Sequence, residues 1–322
     1  MKTPVTVITG FLGAGKTTLL NRILTENHGQ KYAVIINEYG EAGIDDKLIT
    51  AQVDEEIFEM NNGCICCTVR GDLIRIINLL IKKADKFDAI LVETTGLANP
   101  APVAQTFFAD ATVRARTTLD SILTVVDAAH IEQQLQTSPE AAEQIAFADT
   151  ILLNKAESVN AEKLQAAQAA IRSLNSTATI HPTTRSNAPL SQILHRHAFN
   201  LEKIEAIAPT FLADAETGHH HHHTSGISSL SLSTEKPVDA DKFDDWMSQL
   251  LATQGQNLLR TKGILNVHGE PNRYVFQAVH MMSEGLFTTP WQAGETRQSN
   301  LVFIGKNLNK IELKQNFLNC IF

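Results

Sequence analysis

The chain has 322 residues, 43% hydrophobic and 19% charged, and a net charge of -8. It can bury an ample core, and one large plus one small globular domain is expected. With no dense Lys/Arg block it lacks the electrostatic footprint of a nucleic-acid or anionic-membrane binder, and neither partner is expected. No window approaches a membrane span. Four cysteines in this length, three of them between 64 and 67, make no disulfide scaffold. The N-terminal apolar run reads as a buried first strand rather than a signal peptide, so a cytoplasmic protein with reduced thiols is expected.

Short apolar strands alternate with longer helical patterns through the first half, the signature of a parallel sheet covered on both faces. In chain order the reading gives a strand at Val5 to Thr9, a helix at Lys16 to Glu26 and a strand at Tyr32 to Asn37. A helix at Asp72 to Lys83 and strands at Ala89 to Glu93 and Ser121 to Val126 come next. After a helix at Ala141 to Ala148 there is a strand at Thr150 to Leu153, a helix at Ala161 to Ser173 and a strand near Ala178 to His181. These strands are near-continuous apolar runs, as burial of both sheet faces requires.

Periodicity is lost from about His197 to Ser225, where Pro209 and "TGHHHHHTSG" read as an exposed linker. An alternating run at Ile227 to Leu232, an amphipathic helix at Asp239 to Ala252, paired strands around "GILNVHGEPNRYVFQAVH", a strand in "SNLVFIG" and a last helix complete the chain. The expected fold class is α/β: a P-loop NTPase domain with a mostly parallel sheet over 1–196, a His-containing linker over 197–225, and a smaller α+β domain with an antiparallel sheet over 226–322.

"GFLGAGKT", Gly10 to Thr17, satisfies G-x-x-x-x-G-K-[ST] between a strand and a helix. Gly10, Gly13 and Gly15 let backbone N–H groups, with those of Ala14 and Thr18, wrap phosphates; Lys16 neutralises the outer ones, and the Thr17 hydroxyl is a Mg²⁺ ligand. "ILVETTG" ends an apolar strand at Glu93, where P-loop folds place an acidic residue that holds Mg²⁺. Gly96 is the matching candidate to donate its N–H to the γ-phosphate. Leu97 follows where Ras-like GTPases carry a water-orienting Gln, so slow intrinsic hydrolysis is expected. "LLNKAE" resembles the guanine-reading N-K-x-D motif, with Asn154 on the base edge, the Lys155 stem over the base plane and Glu157 at the Asp position.

"NGCICCT" raises a separate question. Cys64, Cys66 and Cys67 fit a zinc site with one tetrahedral position open, a redox centre, or a turn of small buried residues. Glu41, in "NEYGEAGID" between the first helix and the thiols, is the candidate extra ligand or coupling residue, with Glu38 second. The run His219, His220, His221, His222 and His223 is compositionally a metal-binding tract, suited to capture and buffering; a plain spacer and an engineered tag are the other readings. His181, His195, His197, His268 and His280 read as structural, and Cys320 as a small hydrophobe in the last helix.

Taken in order, "GFLGAGKTT", "NEYGEAGID", "NGCICC", "VETTGLANP" and "LLNKAE", with "RTKGIL", "RYVFQAV" and "LVFIGK" further on, resemble the CobW-type GTPases, a P-loop family of metal-centre chaperones and insertases. The resemblance implies Mg²⁺-dependent hydrolysis of GTP to GDP, with catalytic parts for Lys16, Glu41 and Glu93. It also implies transfer of a transition metal, Zn²⁺ or alternatively Co²⁺ or Fe²⁺, to a client metalloprotein docked on the C-terminal domain. Two positions depart from the pattern: Glu157 replaces an Asp, and Ile36 stands where some relatives carry a Glu. A metal buffer with incidental GTPase activity and a P-loop kinase are the rival functions.

Overall fold

The computed structural model describes residues 2–26, 28–38, 57–61, 67–82, 86–199, 201 and 226–322, with side chains for all but 37–38, 57–61 and 67–70. It divides into two compact units, 1–169 with 178–197 and 170–177 with 198–322. No helix among the described residues is long and apolar enough to cross a membrane.

The first unit is built on a seven-stranded sheet. Its strands are β1 (Thr3–Gly10), β2 (Tyr32–Glu38), β3 (Ile57–Asn61), β4 (Ala89–Glu93), β5 (Thr117–Asp127), β6 (Thr150–Asn154) and β7 (Thr179–Pro182), in the order β3-β2-β4-β1-β5-β6-β7. Every neighbouring pair is parallel. Parallel strands need crossovers, and the helices that supply them are α1 (Lys16–Thr25), α2 (Cys67–Ile81), α3 (Ala101–Ala109), α4 (Ala111–Arg116), α5 (Ile131–Thr137), α6 (Pro139–Phe147) and α7 (Ala161–Leu174); the short α8 (Leu190–Ile193) follows the last strand. β4 and β6 are buried along their whole length, so the apolar runs read from sequence are strands covered on both faces. Ile8, Leu20, Ile23, Val34, Leu91 and Leu123 lock α1 onto the sheet centre in one buried cluster.

The second unit holds a five-stranded sheet of β8 (Ile227–Thr234), β9 (Leu258–Leu265), β10 (Asn272–Val279), β11 (Met282–Pro290) and β12 (Ser299–Lys306), ordered β11-β10-β9-β12-β8 with antiparallel neighbours. The helices α9 (Ala240–Gln254) and α10 (Lys310–Asn319) complete it. Asp239 caps α9 by accepting from the Lys242 N–H, and Asn309 caps α10 by accepting from that of Glu312. Phe243 sits at the centre of the core, edge-on to Phe276 at 5.3 Å.

The structure differs from the sequence reading in seven elements, one of them the short α8. β3, α3 to α5 and β11 were not expected, and α2 begins at Cys67 rather than Asp72. Gly71 lies inside that helix, where an isolated glycine is tolerated.

Candidate functional site

The carboxyl ends of the parallel strands converge by register. Ile8 pairs with Glu93, Gly10 with Val125, Asp127 with Asn154, and Leu153 with Pro182. Residues 140 positions apart in sequence therefore meet at one rim, the usual ligand edge of an open α/β sheet.

At its centre Gly10, Gly13 and Gly15 take φ values of 143°, 72° and 115°. Gly15 is also the N-cap of α1, and a Cβ there would lie 2.5 Å from the Asn154 side-chain nitrogen. Only glycine combines that backbone with that approach. The Ala14 N–H donates to the Phe11 carbonyl at 3.2 Å and the Lys16 ammonium to the same oxygen at 3.4 Å, which closes the loop on itself. Thr17 and Thr18 follow in the first turn of α1, Thr17 half-buried and Thr18 exposed.

Asn154 ties this loop to the rest of the rim. Its side-chain nitrogen donates to the Ala14 carbonyl at 2.9 Å, and its oxygen accepts from the Ser186 N–H at 2.7 Å and the Thr183 hydroxyl at 3.3 Å. Ser186 in turn donates its hydroxyl to the Gly15 carbonyl, and Arg22 donates to the Ser186 carbonyl at 2.8 Å. Lys155 follows in a left-handed conformation, φ 58°, and its ammonium donates to Asp127 Oδ2 at 2.7 Å. Glu157 lies exposed in the 3-10 turn Ala156–Ser158.

Asp127, at the end of β5, is buried with its carboxylate fully engaged. Oδ2 takes Lys155 and, at 3.0 Å, His130 Nδ1, while Oδ1 accepts from the Ala129 N–H at 2.9 Å. Burial alone raises a carboxyl pKa, but the bonds from Lys155, His130 and Ala129 outweigh it and hold this one below its ordinary value.

Glu93 ends β4 almost fully buried. The Thr94 N–H donates to the Ile8 carbonyl at 2.9 Å and its hydroxyl to that of Thr9 at 2.8 Å, stitching the segment after β4 to the strand that leads into the phosphate loop. Gly96 packs so closely that an added Cβ would meet Leu12 Cδ2 at 2.6 Å. Ile36 pairs with Glu93 across β2 and β4 and packs on the sheet core, so this edge of the acidic position is apolar.

Of the expected metal ligands, Glu41, Cys64, Cys66 and His219 to His223 lie outside the described residues. Cys67 is the first residue of α2, so the third thiol of the group opens a helix. Elsewhere Cys320 is buried in the second core with its thiol pushed up to about 11 by burial, and His268 stacks on Phe322 at 3.5 Å.

Sequence reasoning missed Asp127, His130, Thr183 and Ser186. Asp127 was one residue beyond the assigned strand, although "ILTVVD" repeats the pattern of an apolar strand ending in acid that singled out Glu93. The cluster of turn formers in "TTRSN" after β7 is the only local signal for Ser186.

A family model of the CobW/HypB/UreG nucleotide-binding domain matches residues 4–182, and one of the cobalamin synthesis protein cobW C-terminal domain matches 227–321. A zinc chaperone of Escherichia coli, YjiA, is 38% identical over 97% of each chain. Zinc-regulated GTPase metalloprotein activator 1 of Schizosaccharomyces pombe is 31% identical over 96% of this chain and 83% of its own. The crystal structure of Zn(II)-bound YjiA GTPase from E. coli matches with a TM-score of 0.80 and 31% identity across the structural alignment, covering 100% of each chain. With both family domains matched in sequence order and the phosphate loop seated on a parallel sheet, the chain belongs to the CobW/HypB/UreG family, in the form that carries the cobW C-terminal domain.

Proposed function

We propose that this chain is a GTP hydrolase that holds a zinc ion at Cys64, Cys66 and Cys67 and hands it to a client metalloprotein in step with hydrolysis. The observation that carries the nucleotide half is Asn154, which joins the Ala14 carbonyl of the phosphate loop to the Ser186 loop through one side chain. The base-reading segment and the phosphate cradle are thereby one rigid piece. The zinc half is supported by the relatives, a zinc chaperone and a zinc-regulated GTPase activator at 38% and 31% identity.

In this reading Gly10, Gly13, Ala14, Gly15 and Thr18 present backbone N–H groups to the phosphates, and Lys16 meets the outer ones. Gly96 donates its N–H to the γ-phosphate. Lys155 and Glu157 face the guanine, with Glu157 accepting from its two N–H donors. The donor set at the rim, the Thr17 hydroxyl at the head of α1 and the Glu93 carboxylate at the end of β4, is all oxygen and suits Mg²⁺. When bound, that ion neutralises charge building on the phosphates. Glu41 serves as extra metal ligand or coupling residue, the His219 to His223 run captures metal, and the client docks on the domain spanning 226–322. The thiols must ionise to bind zinc, so binding releases protons and weakens in acid.

The test is a zinc titration of the full chain under a GTP analogue, GDP and no nucleotide, with Co²⁺ in competition. Zinc affinity is expected to differ between the nucleotide states and to collapse when Cys64, Cys66 and Cys67 are changed together to Ser. Equal affinity in all three states would reduce the protein to a metal buffer, and preference for ATP over GTP would return the kinase reading.

A further inference from the structure

The segment that follows Glu93 is held from a direction that the phosphate loop does not supply. Gln144, on α6 and 1% exposed, donates through its side-chain nitrogen to two carbonyls at once, Gly96 at 3.1 Å and Ala98 at 3.1 Å. Its own backbone carbonyl accepts from the Thr124 hydroxyl at 3.0 Å, which fastens this point of α6 to β5. On the opposite side the segment is bound to β1 by both bonds of Thr94, and Gly96 lies against Leu12 with no room for a Cβ. The Ala98 N–H closes a turn by donating to the Thr95 carbonyl at 3.1 Å. Residues 94–98 are thus fixed at their start by the bonds of Thr94 and at their middle and end by Gln144, both of them buried.

A buried amide that bridges two carbonyls is a costly arrangement to keep without use. Its donors lose water on burial, and any change that removes them strands two acceptors. Among the described residues Gln144 is the side chain that holds both carbonyls, and it sits 48 positions away from Gly96 in sequence, on α6.

We propose that Gln144 is a positioning residue for GTP hydrolysis. By clamping the Gly96 and Ala98 carbonyls it sets the Gly96 peptide before the nucleotide arrives, so that its N–H meets the γ-phosphate without first ordering a loop. The Gly96 carbonyl lies in the peptide plane after its Cα and the N–H in the plane before it; with Thr94 anchoring the preceding side to β1, fixing the carbonyl narrows φ and ψ at Gly96 and with them the direction of its N–H. The segment after β4 is then a prearranged reader of the third phosphate rather than a freely moving switch, and preorganisation of this kind acts on the barrier and leaves the affinity for diphosphate alone. The inference rests on the GTPase reading above and adds to it a residue that touches neither nucleotide nor metal.

The experiment uses the full chain carrying Gln144→Leu, which keeps the bulk and removes both donors, and Gln144→Glu, which keeps the length and sets a carboxylate against the two carbonyls. Four quantities are read: GDP affinity, affinity for a non-hydrolysable GTP analogue, single-turnover GTP hydrolysis, and hydrogen exchange of the amides at 95–98. Expected are unchanged GDP affinity, faster exchange at 95–98, and hydrolysis and the analogue-to-GDP affinity ratio each reduced roughly ten- to a hundredfold, the scale on which misplacing a contact by about 1 Å acts. Retained GDP binding shows that a variant is folded. If Gln144→Leu binds GDP and hydrolyses GTP like the wild type, the positioning role is overturned even if exchange rises. If GDP affinity falls as far as hydrolysis does, Gln144 is a general support of the fold and the proposal fails. A wild type that neither hydrolyses GTP nor separates the analogue from GDP overturns the underlying reading instead.

Discussion

The rim of the first sheet and the core of the second bury their residues by opposite means. At the rim, polar side chains are buried because they bond one another: Thr9 with Thr94, Asp127 with Lys155 and His130, Asn154 with Ala14 and Ser186. In the second sheet the same degree of burial is reached with aromatic rings, Phe243 edge-on to Phe276 at 5.3 Å and Trp246 to Phe303 at 5.9 Å. Hydrogen bonds are directional and hydrophobic burial is not. Changes at the rim should therefore alter ligand handling at modest cost in stability, and changes in the second core should do the reverse.

The largest expected effect tests the second half of that contrast. Phe243→Ala should destabilise the second unit by about 3–5 kcal/mol, because the ring is buried and makes edge contacts with Trp246, Tyr274 and Phe276. Urea unfolding measures the loss. GDP affinity of the folded fraction should be unchanged, since every hydrogen bond described at the phosphate loop is made within the first unit; a parallel loss of affinity would break the contrast.

Gly15→Ala tests the first half. A left-handed backbone costs a non-glycine residue about 1–3 kcal/mol, and the new methyl would press on the Asn154 amide. Nucleotide affinity should fall about a hundredfold, the equivalent of about 2.8 kcal/mol, with Tm lowered only by the several degrees that the backbone strain accounts for. Fluorescent GDP titration beside a thermal melt separates the two.

Asp127→Asn should be milder. Its partner Lys155 is partly exposed and regains water when the pair is lost, so about 1–2 kcal/mol is expected, less than for a sealed pair. The pH dependence has a definite sign. A carboxyl held below its ordinary value contributes stability above that value and loses it as pH falls through the depressed one. The stability gap between wild type and Asp127→Asn should thus be flat near neutrality and close only in acid below about pH 4. A gap that closed near neutrality would break the assignment to this carboxylate.

These residues also mark what was legible in the sequence. The phosphate loop, α1 and the buried strands announce themselves locally, through fixed glycine spacing and unbroken apolar runs. α2 was read five residues late, although Gly71 is tolerated inside the helix. α3 and α4 hide in an alanine-rich stretch whose one internal signal is Asp110, which ends the first and caps the second through the N–H groups of Thr112 and Val113. Gln144 carries no local mark at all and Ser186 only the turn formers around it, since what makes them matter is a partner 48 or 32 positions away. Long-range hydrogen bonds are written in the fold, and a single sequence shows only one end of each.

The smallest effect concerns Cys320, and it bears on the thiols proposed to hold metal. Its sulfur donates to the Asn316 carbonyl at 3.2 Å within the second core. Burial pushes its pKa from 9.0 to about 11, so near pH 8 the thiolate fraction is about a hundredfold below that of an ordinary cysteine, and only the thiolate attacks an alkylating reagent. The sign follows: the protonated thiol is the native form, favoured below the ordinary value, and the advantage fades as pH climbs toward about 11. In native buffer Cys320 should stay unmodified by iodoacetamide while peptides carrying Cys64, Cys66 and Cys67 react, and excess zinc should protect only the latter, as peptide mass spectrometry would read. Rapid labelling of Cys320 in the folded chain would mean that the second core opens readily, and the division between a directional rim and a sealed aromatic core would no longer describe the molecule.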